Sequence, residues 1–328
     1  MMKLRHKILC KIRSYVELCH KPEVSIVAEK NPDVVSELIY NKLIAPEPCM
    51  IARFGATELY CLANYLGIKK GFSFKGLFDF IIGKNEPWWW MPKRLENMQN
   101  CSGFFPLRED YINDFCELLL SDTKSIDVLA SWLDKEKFLE QDLSNATKIF
   151  LPYLEPYYSK LPWSRALADK KVLVIHPFKN QIESQFKQKS TLFIDKRILP
   201  DFKLITLKAV QSLGGEDNGF DTWFDALEWM KGEMDKIDYD ICIIGCGAYG
   251  FHLAAHAKRQ GKKAIHMGGA TQLLFGIKGN RWEDPMYGVN EWGLPYGFYT
   301  NMFNEFWIKP GVEGRPNNAD QVEGACYW

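Results

Sequence analysis

With 328 residues, 47% of them apolar and 25% charged, the chain is long enough to bury a sizeable core as one large α/β unit or two smaller ones. Its 41 acidic side chains balance 41 basic ones, so a generally basic surface for nucleic acid is not indicated. Nine cysteines without C-x-x-C spacing read as reduced cytosolic thiols, no run of 18 apolar residues offers a membrane span, and no apolar h-region marks a signal peptide.

Met1 to Leu18 sets Lys3, Arg5, Lys7, Lys11 and Arg13 among Leu4, Ile8, Leu9, Ile12, Tyr15 and Val16. That spacing predicts a basic amphipathic helix. It lies on an anionic membrane surface, or it packs on its own domain with a solvated basic face. Residues 1–30 are set apart as this unit and 31–328 as a single α/β domain, with a subdivision near 165 as the alternative.

A helix is expected over Asn31 to Lys42, with Asn31-Pro32 as its start. Cys49 to Gly55 reads as a short buried strand ending in glycine, and Thr57 to Leu66 returns to helical spacing. Pro87 to Pro92 encloses Trp88, Trp89 and Trp90 in a loop, read as an apolar platform for a sugar face or a lipid, or as a core plug. Asp110 to Ser121 is helical by period, Ser125 to Leu133 a strand, and Lys171 to Pro177 a strong buried strand. A helix follows over Ser184 to Lys189, then a strand over Phe202 to Val210 and a helix over Phe220 to Asp235. From Gly276 onward the periodicity fades. The alternation predicts a Rossmann-like, doubly wound, mainly parallel sheet with helices on both faces.

The densest signal is Asp238 to Gln272. The apolar run Ile241 to Ile244 ends in Gly245-Cys246-Gly247-Ala248-Tyr249-Gly250, a G-x-G-x-x-G before a helix over Tyr249 to Gln260. A second strand, Lys263 to Met267, delivers Gly268-Gly269. Two glycine turns at neighbouring strand ends form a crevice whose backbone N–H groups and helix dipole suit a diphosphate. No acidic residue closes the second strand, which argues against ordinary NAD binding and leaves open a nucleotide diphosphate or other anion, with a purely structural turn as the alternative. Gly245, Gly247, Tyr249, Gly250, Gly268, Gly269 and Gln272 are the candidate binding residues. Lys278 and Arg281, just past the second turn, either neutralise a leaving diphosphate or decorate a solvated loop.

Arg53 sits at a strand end, where it pairs with Glu58 or clamps a phosphate. Glu58 lies in the first turn of the next helix. It either satisfies the helix dipole or serves as base or metal ligand. His176, at a strand end before Pro177, is a candidate base or a structural histidine. His252 and His256 are four apart, but no third ligand accompanies them, so packing is expected rather than zinc. His266 is expected to pack within its strand.

The segments RFG-x-x-E (Arg53 to Glu58), SGFFP (Ser102 to Pro106), IHPF (Ile175 to Phe178), GCGAYG (Gly245 to Gly250), MGGATQLLFGIKGNRW (Met267 to Trp282) and VEGACYW (Val322 to Trp328) resemble a family of bacterial proteins encoded among surface-polysaccharide genes. RFG-x-x-E also resembles the RFGDGE signature of GT-D-type glycosyltransferases. In that group D-x-E is associated with a divalent metal and a sugar nucleotide. Carried over, Glu58 matches the glutamate, while Ala56 stands where the aspartate would be.

The resemblance implies a cytoplasmic, inverting glycosyltransferase that takes a sugar nucleotide and a glycan or lipid-linked acceptor; the basic spacing of residues 1–18 adds peripheral contact with the inner face of the membrane as an alternative. Arg53, Glu58 and His176 would be catalytic. Glu58 is the one matching ligand for Mn²⁺ or Mg²⁺, and a single carboxylate makes a poor site for either. The alternatives are a catalytically inert nucleotide-binding regulator or scaffold of polysaccharide assembly, and a transferase that adds a non-glycosyl group to the glycan.

Overall fold

The computed structural model describes residues 3–19, 27–212, 218–311, 315, 319–321 and 324–328. Parts of the expected N-terminal unit (1, 2 and 20–26) and Val322-Glu323 of the terminal motif lie outside the described residues.

In chain order come α1 (Leu4–Cys19), α2 (Pro32–Ile44), β1 (Cys49–Ala52), α3 (Ala56–Lys70), α4 (Phe74–Ile81), α5 (Pro92–Asn100), α6 (Glu109–Thr123), β2 (Val128–Ser131) and β3 (Thr147–Phe150). Then come β4 (Lys171–His176), α7 (Lys179–Lys187), β5 (Lys203–Lys208), α8 (Trp223–Asp235), β6 (Ile241–Ile244), α9 (Tyr249–Arg259) and β7 (Lys263–His266). Short helical turns follow toward the C-terminus, among them a 3₁₀ turn at Gly268–Ala270 and α10 (Thr271–Leu274).

All seven strands join one sheet in the order β3-β2-β1-β7-β6-β4-β5, and every pairing is parallel. Strands from both sides of residue 165 share that sheet. The central strands read as unbroken apolar runs because both of their faces are covered. One face packs under α3, α6, α8 and α9, through residues such as Leu62, Phe115, Trp223 and Leu253. The other packs under α2, α7 and the C-terminal segment, through Ile39, Ile182, Phe275 and Trp307. Edge strand β5 begins and ends in exposed lysines, Lys203 and Lys208, which discourage pairing with another chain.

Helix starts follow local chemistry. Asn31 caps α2 by accepting from the N–H of Asp33 and of Val34, and Pro32 opens the helix without needing a donor. Thr222 caps α8 by accepting from Asp225 N–H. The third helix-start case differs from expectation. α7 begins at Lys179, five residues before the expected Ser184, because the polar first turn hides its period until Ile182. The irregular C-terminal segment is anchored by buried Trp307 and Trp328 and by an Ile277–Ile308 bridge.

Of the two readings of the three adjacent tryptophans, packing against neighbouring helices is the one observed. Trp89 stacks on His6 of α1 at 4.0 Å, Trp88 meets Phe72 and Phe80 edge-on, and Trp90 stacks on Tyr65. All three are half-buried under α1, α3 and α4 rather than offered as an open platform, because the proline-bounded loop is roofed by these helices.

Candidate functional site

The carboxyl ends of β1, β4, β6 and β7 border a cavity of about 380 Å³. That volume lies within the range of small-molecule sites, and its place at the strand tips is where open α/β sheets bind ligands. β1 contributes Arg53 to Glu58, β4 contributes His176 to Phe178, β6 contributes Gly245 to Ala248, and β7 contributes His266, Gly268 and Gly269.

The two glycine turns pack on each other before they face the cavity. A Cβ on Gly245 would lie 2.6 Å from the Gly268 carbonyl oxygen. Gly268 itself has φ +63, and a Cβ there would lie 3.3 Å from Arg53 Nη1. So the glycines let the β6 and β7 turns and the Arg53 guanidinium crowd into one corner. Gly247 is exposed and Gly269 half-exposed along the cavity wall.

Arg53 leaves its strand half-buried, with its guanidinium 5.2 Å from the Trp132 ring centre. Trp132 is fixed by its own N–H donating to Phe54 C=O at 3.1 Å. Among the described residues the Arg53 side chain has no carboxylate in ion-pair reach and no hydrogen bond, so the expected pairing with Glu58 is absent. A preorganised guanidinium without an internal counter-charge is suited to an anion.

Glu58 occupies the first turn of α3 and folds back over Gly55. A Cβ at Gly55 would sit 1.7 Å from Glu58 Oε2, so a side chain there would make this carboxylate swing to another rotamer. It lines the same cavity as Arg53. Among the described residues no three His, Cys, Asp or Glu side chains come together to hold a metal ion. Glu58 shares the cavity wall with a second carboxylate, Glu291, whose Oε2 accepts the Gly288 N–H at 3.1 Å, and Ala56 stands where the motif would have an aspartate.

His176 lines the cavity but is nearly buried, and burial drops its pKa to about 3. Its Nδ1 accepts the N–H of Phe178 at 3.0 Å. A backbone N–H can only donate, so the neutral ring carries its proton on Nε2 and offers a donor, not a base. His266 has the opposite tautomer. Its Nδ1 lies 3.1 Å from Arg53 C=O, which can only accept, and burial with the nearby Arg53 charge lowers its pKa to about 3.

Three expected residues fall outside the cavity. Tyr249 turns inward to stack on Trp223 at 4.9 Å, with its hydroxyl 3.1 Å from Ser212 Oγ. Gly250 gives close passage to His266, whose Cδ2 would lie 2.6 Å from an added Cβ. Lys278 pairs with Glu283 at 3.4 Å. Gln272 does line the wall, but its amide nitrogen is committed to Ile277 and Tyr327 carbonyls at 3.2 Å. Arg281 also lines the cavity, with its guanidinium 4.9 Å from the Tyr327 ring centre.

Other wall residues come from elements far apart in sequence: Ser102, Phe251, His252, Tyr287, Trp292 and Tyr327. His252 is fully buried. Its Nδ1 lies 2.8 Å from Asp122 Oδ2, and Asp122 also receives Arg259 Nη1 at 2.5 Å. Burial pushes the Asp122 carboxyl up, but His252 and Arg259 outweigh that and hold it below its ordinary value. Among the described residues His252 Nε2 and Ser102 Oγ are buried without a hydrogen-bond partner, and both residues border the cavity. His256, one turn on, faces the surface and meets Asp235 at 2.8 Å, so the two histidines share no ligand. A side cavity of about 50 Å³ shares Arg53, Gly269, Arg281 and Tyr327 with the main one and reaches Glu155.

Fold and site together define a Rossmann-like α/β protein whose strand-tip cavity has Arg53, Arg281, Glu58 and Glu291 in its wall. Comparison with family models, curated proteins and solved structures finds no match to this chain.

Proposed function

We propose that the chain is a glycosyltransferase that takes a nucleotide-diphosphate sugar and acts in surface-polysaccharide or glycan biosynthesis. One observation carries the reading: the unpaired Arg53 guanidinium stands beside the glycine turns of β6 and β7, in the same cavity as Glu58. A pyrophosphate against Arg53, Gly247 and Gly269 would place the anomeric carbon toward Glu58. Each charge-assisted hydrogen bond from arginine to phosphate contributes about 1.5–3 kcal/mol.

In this mechanism an acceptor hydroxyl attacks the anomeric carbon while the bond to the diphosphate breaks, inverting the centre. Glu58 takes the hydroxyl proton. Arg53 and Arg281 neutralise the charge that develops on the departing diphosphate, and His176 donates from Nε2. Among the described residues Glu58 has no cluster of further ligands that would complete a Mg²⁺ or Mn²⁺ site, and no step is assigned to a metal. The acceptor is a glycan or a lipid-linked sugar, and the working place is the cytoplasmic face of the membrane.

Incubation of the purified protein with UDP-, GDP- and CMP-sugars tests the reading. Slow donor hydrolysis, accelerated by acceptor, is the expected result. Tight binding without turnover would favour an inert nucleotide-binding regulator instead.

A further inference from the structure

We propose that α1 and α4 together form a docking surface for an anionic lipid bilayer. The proposal is independent of the transferase reading.

The two helices pack on each other, and α1 is mounted inside out. Its inward side is mostly polar. His6 stacks on Trp89, Cys10 Sγ lies 4.0 Å from Met91 Sδ, and Arg13 donates to Asn85 C=O at 3.0 Å and to Glu17 at 2.7 Å. Its outward side carries Leu4, Ile8, Ile12, Tyr15 and Leu18, which are 74%, 50%, 42%, 70% and 75% exposed. Steps of four, four, three and three residues place these five on one stripe.

α4 continues the pattern. Phe74 and Phe78, one turn apart, are 85% and 62% exposed, and Phe72 just before the helix is 56% exposed. A soluble helix normally buries such side chains, and an apolar patch this rich in aromatics marks a contact surface.

The charges identify the partner. Lys3, Arg5, Lys7, Lys11 and Lys75 are exposed, and among the described residues none of them forms an ion pair. Lys7 and Arg5 flank the apolar stripe on opposite sides, where their stems can lie along acyl chains while the heads meet phosphate. The acidic residues of the two helices are Glu17, held by Arg13, and Asp79. This local excess of cations on a chain of zero net charge is complementary to an anionic headgroup layer, not to water or to a neutral apolar partner. No helix among the described residues is long and apolar enough to cross a membrane, so the contact is interfacial.

Co-sedimentation of the full chain with vesicles tests this. Binding to phosphatidylcholine mixed with phosphatidylglycerol, weakened by salt and weak on phosphatidylcholine alone, is expected. Lys11→Gln should reduce partitioning about fivefold. Phe74→Ser combined with Phe78→Ser should reduce it about tenfold or more. Both changes are at exposed sites, so melting temperatures should stay near that of the parent. No binding to the mixed vesicles, or binding undiminished in both variants, overturns the proposal. A solution dimer dissociated by the phenylalanine changes would assign the surface to a second copy and overturn it as well.

Discussion

Arg53 Nη1 lies 3.3 Å from the point where a Cβ on Gly268 would stand. The guanidinium and the turn thus fill one corner together, and a side chain at 268 would press on the guanidinium. Gly268→Ala would press a methyl against Arg53 at a residue of φ +63. It should cost about 1–2 kcal/mol of stability and displace the guanidinium. Thermal unfolding and nucleotide titration measure the two effects.

Arg53→Ala should weaken diphosphate binding about 10- to 100-fold. Arg53→Lys should recover part of this, because it keeps the charge and loses the planar fork. Calorimetric titration with UDP and GDP decides. Equal affinity in all three proteins would remove Arg53 from the site.

Glu58→Gln should lower transfer at least about 100-fold while the fold survives. Loss of the helix-dipole interaction in the first turn of α3 costs stability only on the order of 0.3–1 kcal/mol. Turnover assays alongside circular dichroism separate the two roles. Undiminished transfer would leave Glu58 as a helix-start acid.

Asp122→Asn should destabilise the fold by about 1–3 kcal/mol, because it weakens the hydrogen bond to buried His252 and removes the counter-charge of half-exposed Arg259. The pH dependence follows from the depressed pKa. Stability from this carboxylate is fully present above its unfolded value near 4 and is lost as pH falls further. Denaturant titrations at pH 3 to 7 should show a steeper loss below about pH 4 in the parent than in Asp122→Asn.

His176 and His266 add a separate acid sensitivity. Each has a folded pKa of about 3, far below the ordinary 6.5. The unfolded chain takes up these protons first, so stability declines from about pH 6.5 downward and is lost toward pH 3. His176→Phe should flatten that slope in stability measured against pH.

The sheet was legible where strands are buried on both faces, since Cys49 to Ala52, Lys171 to His176 and Ile241 to Ile244 carry continuous apolar runs. β3 escaped notice because Thr147 and Lys148 are an edge strand's polar residues. α4 and α5 were hidden by Gly76 and by the prolines around the tryptophan loop. In the site, Arg53, Glu58 and the glycine turns follow strand ends directly, so chain order alone placed them. Ser102, His252 and Tyr327 come from a loop, a helix interior and the C-terminal segment, and only packing brings them to one wall. Tyr249 and Lys278 sit beside the glycine turns in sequence, yet burial against Trp223 and pairing with Glu283 turn them elsewhere.

The most direct test is a crystal structure of the full chain at saturating UDP-sugar or GDP-sugar. The account requires the pyrophosphate to lie against Arg53 and the turns at Gly247 and Gly268–Gly269, with the sugar toward Glu58. A nucleotide bound outside that cavity, or a cavity left empty at saturation, would contradict it.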